Sequence, residues 1–161
     1  LAADVGAQGI KVRPNGLPRQ VPAETTLRQI GESLAEVAAE AAKVGVQVRV
    51  EVHGSETSRL PNMKKILDFA RHENVYACWN SNDSDLADGG LEANFALVKD
   101  KIGFVHMRDL YLENYPFRRL LRLLRDSGYK GYCCAEIGES SDPIRVMRYY
   151  RALFLAYQDL L

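Results

Sequence analysis

Residues 46–53 read VQVRVEVH, and their valines alternate with polar residues. β-branched residues in strict alternation are typical of a strand with one apolar and one polar face. The polar face ends in Glu51 and His53. A helical pattern precedes this strand at 26–44, and a second one begins at Pro61. A strand between two helices is typical of a parallel sheet whose strands are joined by helical crossovers.

The same alternation extends in both directions along the chain. Strands are predicted at 9–13, 46–53, 75–79, 103–107 and 131–137, and helices at 26–44, from 61, at 91–102, at 115–126 and from 142 almost to 161. Thr25 or Thr26 is expected to cap the first helix. Strands separated by single helices pair in parallel with right-handed crossovers, either in an open sheet or in a barrel. The segment 9–18 (GIKVRPNGLP) lacks the glycine pattern of a phosphate-binding loop, which disfavours a nucleotide-binding sheet.

Charge and hydropathy argue against two classes of partner. The chain has 21 Lys and Arg residues against 21 Asp and Glu residues, so its formal net charge is zero. Broad nucleic-acid binding needs a basic excess, so we expect no nucleic-acid partner. The charge balance does not exclude a small anionic substrate that is bound by one or two arginines. No apolar stretch is long enough to span a bilayer, so we expect no membrane partner either.

Three cysteines, Cys78, Cys133 and Cys134, lie in apolar runs that read as buried strands. An odd count with two adjacent cysteines does not fit a disulfide framework. Reduced, buried thiols are the expectation, which fits a cytoplasmic location. The chain does not begin with Met, and residues 1–7 read as the end of a helix, so we interpret it as part of a longer domain.

Polar side chains gather where the predicted strands end. In parallel α/β folds, the carboxyl ends of the strands form the binding face. These residues are Arg13 after the first strand, Glu51 and His53 at the end of the second, Asn80 followed by Asn82 and Asp83 after the third, His106, Arg108 and Asp109 at the end of the fourth, and Glu136 in the fifth. Alternation turns Glu51, His106 and Glu136 toward one common side, while Val50 and Val105 pack against helices.

Glu51, Asn80, His106 and Glu136 form the predicted metal site. Two carboxylates, an imidazole and an amide oxygen suit a hard or borderline divalent ion. Mn²⁺ or Mg²⁺ fits this donor set best, with Zn²⁺ or Co²⁺ as alternatives. Asn80 could instead cap the loop that follows it, and Asp83 is then its rival as a ligand.

Further residues at the strand ends are predicted to bind substrate. They are Arg13, His53, Asp83, Arg108 and Asp109. Two of them have a second interpretation. His53 could form a hydrogen bond to a metal-ligating carboxylate without contacting the metal itself. Arg108 could form an ion pair with Asp109 or with Glu136. The single tryptophan, Trp79, is expected to pack in the core.

Four segments together resemble the xylose isomerase-like family of sugar isomerases and epimerases. They are VRVEVHG around Glu51, VYACWNSND around Asn80, GFVHMRDL around His106 and YCCAEIGES around Glu136. The resemblance covers the whole chain and implies an α/β fold, the C-terminal part of a (β/α)₈ TIM barrel. Residues 1–161 would be a single partial domain of about five β/α units, taken as strands 4–8, with the N-terminal strands missing.

The resemblance also assigns roles to the strand-end residues. It implies that Glu51, Asn80, His106 and Glu136 are the family's metal set. Glu51 and Glu136 would act as acid and base, as the metal-bound glutamates do in the epimerase branch. Many members have Asp where this chain has Asn80. An amide in place of a carboxylate removes about one negative charge and should weaken metal binding.

The implied function is a divalent-metal-dependent isomerase or epimerase that acts on a small sugar or sugar phosphate. It would remove a proton next to a carbonyl and form a metal-stabilised enediolate. An inosose-type dehydratase shares that first step and stays an alternative. A sugar-binding barrel without catalysis is a second alternative, because Asn80 weakens the metal site. A zinc AP endonuclease is disfavoured, because its site needs several histidines and this chain has only His53, His72 and His106.

Five strands do not close a barrel of this class, which needs eight. We therefore expect the chain, taken alone, to expose two strand edges and an apolar inner face, and to self-associate or be marginally stable. Assembly into a homo-oligomer is therefore one possible outcome. The chain alone could also carry the metal ligands and still be inactive.

Overall fold

The computed structural model describes residues 1–159, in which strands and helices alternate. The strands are β1 (Gly9–Val12), β2 (Gln47–Glu51), β3 (Val75–Trp79), β4 (Ile102–Met107) and β5 (Cys133–Ala135). The helices are α1 (Ala23–Ala42), α2 (Leu60–Ala70), α3 (Gly90–Val98), α4 (Phe117–Asp126) and α5 (Pro143–Ala156), and short 3₁₀ turns lie at Asp83–Leu86 and Lys99–Lys101. Among residues 1–159, none of the helices combines the length and the apolar composition that a membrane-spanning segment needs.

The five strands of the described chain form one sheet, in which they lie in sequence order. Every neighbouring pair is parallel, with Val12 beside Val50 and Val50 beside Ala77. One helix follows each strand, so the chain forms a half-barrel of β/α units. This arrangement confirms the predicted fold class, a partial (β/α)₈ barrel. β1 and β5 are the edge strands of this sheet.

The core lies between the sheet and the helices. Alternation places Val48 and Val50 on the helix side of β2, and both are fully buried, as is Val52 just after the strand. The first two helices cross closely at Gly31, where an added Cβ would lie 2.6 Å from the Cβ of Phe69. Glycine therefore lets α1 and α2 approach each other. Trp79 is fully buried, as predicted.

The opposite side of the sheet, which would face a barrel axis, carries both polar and apolar residues. Register and alternation place on it Lys11, Gln47, Arg49, Glu51, Tyr76, Cys78, Phe104, His106 and Cys134. The guanidinium of Arg49 lies 5.2 Å from the ring centroid of Phe104. It also packs against Gly9, where an added Cβ would lie only 2.7 Å from Nε of Arg49, so a larger residue at this position would clash. The inner face is therefore less apolar than expected, because most apolar residues of the strands alternate onto the helix side, while Tyr76, Cys78, Phe104 and Cys134 remain on the inner side.

Two predicted boundaries differ from the structure. α1 begins directly after Pro22, and the backbone amides of Thr25 and Thr26 both donate to the Pro22 carbonyl. The threonines therefore lie inside the first turn, and the predicted cap at Thr25 or Thr26 was wrong. β5 is shorter than the predicted 131–137, and as an edge strand it pairs only with β4.

Residues 1–7 form turns with the hydrogen bonds of a helix end. The amide of Ala7 donates to the carbonyl of Ala2 over 2.9 Å, and the amide of Gly6 donates to the carbonyl of Ala3 over 3.0 Å. Gly6 has a φ of 71°. This pair of bonds around a left-handed glycine is the Schellman motif that closes helices. The hydrogen bonds thus agree with the helix end predicted here.

Candidate metal centre

Three of the predicted ligands converge at the carboxyl ends of β2, β4 and β5. Carboxylate oxygens of Glu51 and Glu136 and a ring nitrogen of His106 all lie within 4.8 Å of one another. The Nδ1 atom of His106 is 3.5 Å from Oε1 of Glu51 and 3.5 Å from Oε2 of Glu136. Parallel strands end at the same edge of a sheet, which is why residues far apart in sequence meet here.

Asn80 brings a fourth donor atom to the same point. Its Oδ1 lies 3.3 Å from Nδ1 of His106, and its side chain is buried. Two neighbours hold this loop in place. Ser81 donates from Oγ to the carbonyl of His106 over 2.8 Å, and Asn82 donates from Nδ2 to the carbonyl of Val52 over 2.5 Å. Asn80 therefore faces the cluster instead of serving only the loop.

The distances from His106 Nδ1 to its three oxygen neighbours are compatible with donors that share one tetrahedrally coordinated ion. Donors about 2.1 Å from an ion at tetrahedral angles lie about 3.4 Å apart. The distances from His106 Nδ1 to its three oxygen neighbours are 3.3, 3.5 and 3.5 Å. Strong N–H···O bonds are shorter, about 2.7–3.2 Å. In addition, Oε1 of Glu51 is buried and has no hydrogen-bond partner, which is costly unless a cation or donor meets it.

Two cations hold the other oxygen of Glu51. Lys11 donates from Nζ to Oε2 over 2.7 Å, and Arg13 donates from Nε to the same oxygen over 3.0 Å. Burial opposes ionisation of this carboxyl, but the hydrogen bonds and charges of Lys11 and Arg13 outweigh it and hold the pKa of Glu51 below its usual value. Glu51 is therefore a carboxylate at neutral pH.

Glu136 and His106 complete the cluster from the two later strands. The backbone amide of Glu136 donates to the carbonyl of Met107 over 2.8 Å, which continues the pairing of β4 and β5 past the last strand residue. The ring of His106 meets that of Phe104 edge to face, with centroids 5.4 Å apart. This contact fixes the plane of the imidazole and so helps to aim Nδ1 at the cluster.

A second buried polar cluster lies behind the loop that carries Asn80. Tyr115 donates from its hydroxyl to Oδ2 of Asp85 over 2.6 Å, and Trp79 donates from Nε1 to the Tyr115 hydroxyl over 3.0 Å. The backbone amide of Asn82 donates to the same Asp85 oxygen over 3.0 Å. Burial raises the pKa of Asp85 to about 7, although these hydrogen bonds oppose the shift. The loop is therefore tied to the core by a carboxyl that titrates near neutral pH.

The stability of the protein should depend on pH through Asp85. Its pKa is about 7 in the folded protein against 3.8 for an unperturbed aspartate. Between about pH 4 and about pH 7 the folded state keeps a proton that the unfolded state releases, so stability falls as pH rises through this window and levels off above it. The variant Asp85→Asn cannot titrate. The difference between its free energy of unfolding and that of the wild type should therefore shift in favour of the variant by a few kcal/mol as pH rises from about 4 to about 7.

Urea unfolding at about pH 5 and about pH 8 measures this difference. Asp126→Asn removes an exposed carboxylate and serves as the control, because its pH dependence should match the wild type. An Asp85→Asn protein with the same pH slope as the wild type would contradict the prediction.

The five predicted substrate-binding residues are dispersed. Arg13 bonds to Glu51, as described above. His53 follows Glu51 beyond the strand end, where its carbonyl accepts a hydrogen bond from Oγ1 of Thr57 over 2.7 Å. Asp83 is 76% exposed and accepts a hydrogen bond from Nη2 of Arg108 over 2.9 Å. Asp83 therefore pairs with a cation instead of joining the metal donors.

The side chains of Arg108 and Asp109 contact different parts of the structure. The guanidinium carbon of Arg108 lies 5.7 Å from the ring centroid of Tyr115, so this side chain spans the loop and the buried polar cluster. Asp109 lines a groove against α5 with Val146 and Tyr150. Pairing of Arg108 with Asp109 or Glu136, left open by the sequence, is replaced in the structure by pairing with Asp83.

Sequence reasoning missed Lys11 as a partner of Glu51. A signal was available, since Lys11 and Arg13 lie two residues apart on the predicted first strand and so share a face. Ser81, Asp85 and Tyr115 were also missed. Their contacts join the third strand, the loop after it and the segment before α4, and short-range sequence patterns do not report such contacts.

The sequence and the fold were compared with known families and solved structures. The family described as xylose isomerase-like TIM barrel matches residues 1–153. No protein of curated function matches the sequence. Among solved structures, the fold is similar to that of 3-keto-D-glucoside 4-epimerase from E. coli, with a TM-score of 0.79 and 20% identity, over 96% of this chain and 66% of that one.

Two further structures share the fold. L-ribulose 3-epimerase has a TM-score of 0.74 and 17% identity, over 94% of this chain and 55% of that one. The IolI protein, whose structure contains a bound zinc atom, has a TM-score of 0.76 and 14% identity, over 97% of this chain and 66% of that one. At such identities the likeness shows the fold. The chain spans 55–66% of the length of these three structures.

Proposed function

Because the chain belongs to the xylose isomerase-like TIM-barrel family, we propose that it contributes the metal site of an isomerase or epimerase acting on a small sugar or sugar phosphate. The observation that carries this proposal is the group of four donor atoms around His106 Nδ1. The sugar epimerases with the same fold support the substrate class. A cytoplasmic location is part of the proposal, since Cys78, Cys133 and Cys134 are free thiols and would suit a reducing compartment.

Glu51, Asn80, His106 and Glu136 would hold the ion. Three oxygen donors and one imidazole suit Mn²⁺ or Mg²⁺, and Zn²⁺ or Co²⁺ would also find acceptable ligands. A bound divalent ion would draw electron density from the carbonyl oxygen of a sugar and so acidify the neighbouring C–H bond. The chain's own carboxylates at the cluster would then hold the proton that leaves the carbon.

Titration with Mn²⁺ tests this proposal directly. Isothermal calorimetry on the metal-free protein should show one site, and EDTA should reverse the binding. Glu136→Gln should weaken binding by roughly tenfold or more, because an anionic donor becomes neutral. Glu139→Gln, an exposed neighbour outside the cluster, is the matched control and should bind as the wild type does. A wild-type protein that binds no divalent ion would contradict the metal-dependent function.

One observation favours a second candidate, a sugar-binding barrel without catalysis. The charges of Lys11 and Arg13 offset those of Glu51 and Glu136, and Asn80 adds none. Such a neutral site binds a divalent ion less strongly than the usual anionic one. Incubation of the Mg²⁺-loaded protein with a panel of ketoses and ketose phosphates separates the candidates. Product formation that EDTA abolishes supports the enzyme, and sugar binding without turnover supports the alternative. Product analysis also separates isomerisation from an inosose-type dehydration.

A further inference from the structure

The amide side chain of Asn80 can face the candidate metal centre in two ways, and only one of them offers a ligand. A metal ion binds the oxygen of a side-chain amide, whereas the NH₂ group is a hydrogen-bond donor and turns a partial positive charge toward the cation. In the structure, Oδ1 of Asn80 lies on the side of the cluster, 3.3 Å from Nδ1 of His106. A carboxylate has an oxygen at both ends and needs no such choice. The orientation of this amide therefore decides whether Asn80 can serve the ion.

Asn82 lies beside the NH₂ end of the Asn80 side chain. Nδ2 of Asn80 donates to Oδ1 of Asn82 over 3.5 Å, which is a long hydrogen bond. The reverse orientation of Asn80 would set two amide oxygens against each other at this distance. The two ends of an amide have nearly the same shape, so its hydrogen-bonding neighbours decide its orientation. The contact with Asn82 therefore turns Oδ1 of Asn80 toward the cluster.

The orientation of Asn82 is set in turn by a backbone carbonyl. Nδ2 of Asn82 donates to the carbonyl of Val52 over 2.5 Å, and a carbonyl can only accept. Asn82 therefore cannot reverse its amide without setting Oδ1 against that carbonyl. Val52 directly follows Glu51, the last residue of β2. The same bond thus ties the loop after β3 to the strand that carries Glu51.

The backbone on both sides of Asn82 is anchored as well. The amide of Asn82 donates to Oδ2 of Asp85 over 3.0 Å, and the hydroxyl of Tyr115 donates to the same oxygen over 2.6 Å. Ser81 has a φ of 46°, which is uncommon for a residue with a side chain, and its Oγ donates to the carbonyl of His106 over 2.8 Å. These contacts join β2, β3 and β4, each of which has a neighbouring strand on both sides. The arrangement around Asn82 therefore lies within the sheet and not at its edges.

We propose that Asn82 is a positioning residue of the metal centre, which holds the amide of Asn80 with its oxygen toward the ion. This inference rests on the proposed function and refines it. Asn82 acts through Asn80 and does not contact the ion itself. The pair of asparagines then gives this site a neutral oxygen ligand that is already aimed before an ion binds.

Loss of the Asn82 side chain would let the amide of Asn80 reverse. The metal-free cluster favours that reversal, because Oε1 of Glu51 is buried without a hydrogen-bond partner and Glu136 brings a second carboxylate. An NH₂ group turned toward the cluster could donate to these acceptors, and hydrogen bonds to charged groups are the strong ones. An arriving ion would have to displace the NH₂ group and turn the amide back. The affinity for the ion would therefore fall.

Mn²⁺ titration of Asn82→Ala tests this positioning role. The dissociation constant, measured by isothermal calorimetry, should rise roughly tenfold relative to the wild type, because the metal-free variant gains a charge-assisted hydrogen bond that the ion must break. Asn62→Ala is the matched control. Nδ2 of Asn62 also donates to a backbone carbonyl, that of Glu56, over 2.9 Å, and Asn62 is not a donor at the cluster. Its affinity should equal that of the wild type, and unchanged affinity in Asn82→Ala would overturn the proposal.

The Asn80→Asp background separates positioning from support of the loop. An aspartate at position 80 has no orientation to lose, since both of its terminal atoms are oxygens. Addition of Asn82→Ala should therefore leave the Mn²⁺ affinity of this variant unchanged or raise it, because Oδ1 of Asn82 no longer faces a carboxylate. If Asn82 only supported the loop through Val52, its loss would weaken binding equally in both backgrounds. Equal losses would overturn the proposal.

A second substitution at position 82 guards against a variant that does not fold. Asn82→Leu keeps nearly the volume of the asparagine side chain and removes the same two side-chain contacts. Circular dichroism melts show which variants are folded, and the leucine variant replaces the alanine variant in both backgrounds if the latter unfolds. Wild-type Mn²⁺ affinity in a folded Asn82→Leu protein would also overturn the proposal.

The failures of the two proposals remain distinct. A wild type that binds no Mn²⁺ contradicts the proposed function, and this inference with it. A wild type that binds Mn²⁺, together with Asn82 variants that lose no affinity or lose it equally in both backgrounds, leaves the proposed function intact. That result removes only the positioning role of Asn82.

Discussion

Replacement of His106 by alanine is expected to raise the dissociation constant for Mn²⁺ on the order of a hundredfold or more. Loss of a residue that merely supports a ligand costs about 10–100-fold, and His106 would supply a donor atom itself. Its Nδ1 is also the atom from which the other three donors lie at 3.3, 3.5 and 3.5 Å. Loss of the imidazole would leave two carboxylates and an amide with nothing to complete the shell. Isothermal calorimetry or Mn²⁺ electron paramagnetic resonance measures the change.

His72→Ala is the matched control for this experiment. The Nδ1 atom of His72 accepts a hydrogen bond from the backbone amide of Asn74, just before β3, at the amino end of the sheet. This variant should bind Mn²⁺ as the wild type does. Equal affinities for the His106→Ala and wild-type proteins would remove His106 from the metal site. A circular dichroism melt of His106→Ala confirms that any loss of binding occurs in a folded protein.

Replacement of Asn80 by aspartate is expected to strengthen Mn²⁺ binding by roughly tenfold to a hundredfold, since it adds a negative charge at the position of a donor atom. The amide oxygen of Asn80 already lies 3.3 Å from His106 Nδ1, so the substitution changes charge with little change of shape. Without metal, the new carboxylate would face those of Glu51 and Glu136, and like charges repel. The metal-free variant should therefore melt at a lower temperature than the wild type, and Mn²⁺ should raise its melting temperature by a larger amount.

Gln29→Glu adds the same charge on the exposed side of α1 and serves as the control. Its Mn²⁺ affinity should equal that of the wild type. If Asn80→Asp also leaves the affinity unchanged, the residue at position 80 does not contact the ion, and the cluster is limited to Glu51, His106 and Glu136. That result would return Asn80 to a role in the loop alone.

The convergence of Glu51, His106 and Glu136 could be predicted from the sequence because two simple rules act together. Each residue ends an apolar strand, and the carboxyl ends of parallel strands meet at one edge. Alternation then decides which residues of each strand share a side. These rules need only the positions of the strands, which β-branched and apolar runs mark clearly in β2, β3 and β4.

The contacts of Lys11 and Asp85 could not be predicted in the same way. Lys11 reaches Glu51 from the adjacent strand β1, and the length and flexibility of a lysine leave several partners possible until the register is known. Asp85 lies in a polar loop that reads as solvated. Only packing against Tyr115 and Trp79 buries it and raises the pKa of its carboxyl. α1 begins before the two threonines that resemble caps, because Pro22 directly precedes its first residue and has a φ that suits the start of a helix.

The pairing of Glu51 with Lys11 and Arg13 bears on how this protein is made in a cell. A buried carboxylate without a partner would oppose collapse of the chain, and such proteins often depend on their ion to fold. Here Lys11 in the neighbouring strand and Arg13 just after it neutralise Glu51 through Oε2 without any ion, although its Oε1 stays without a partner. If the site binds an ion as proposed, we therefore expect folding and metal binding to be separate events. On the proposed function, the newly made chain would reach its native sheet without metal and would bind an ion afterwards.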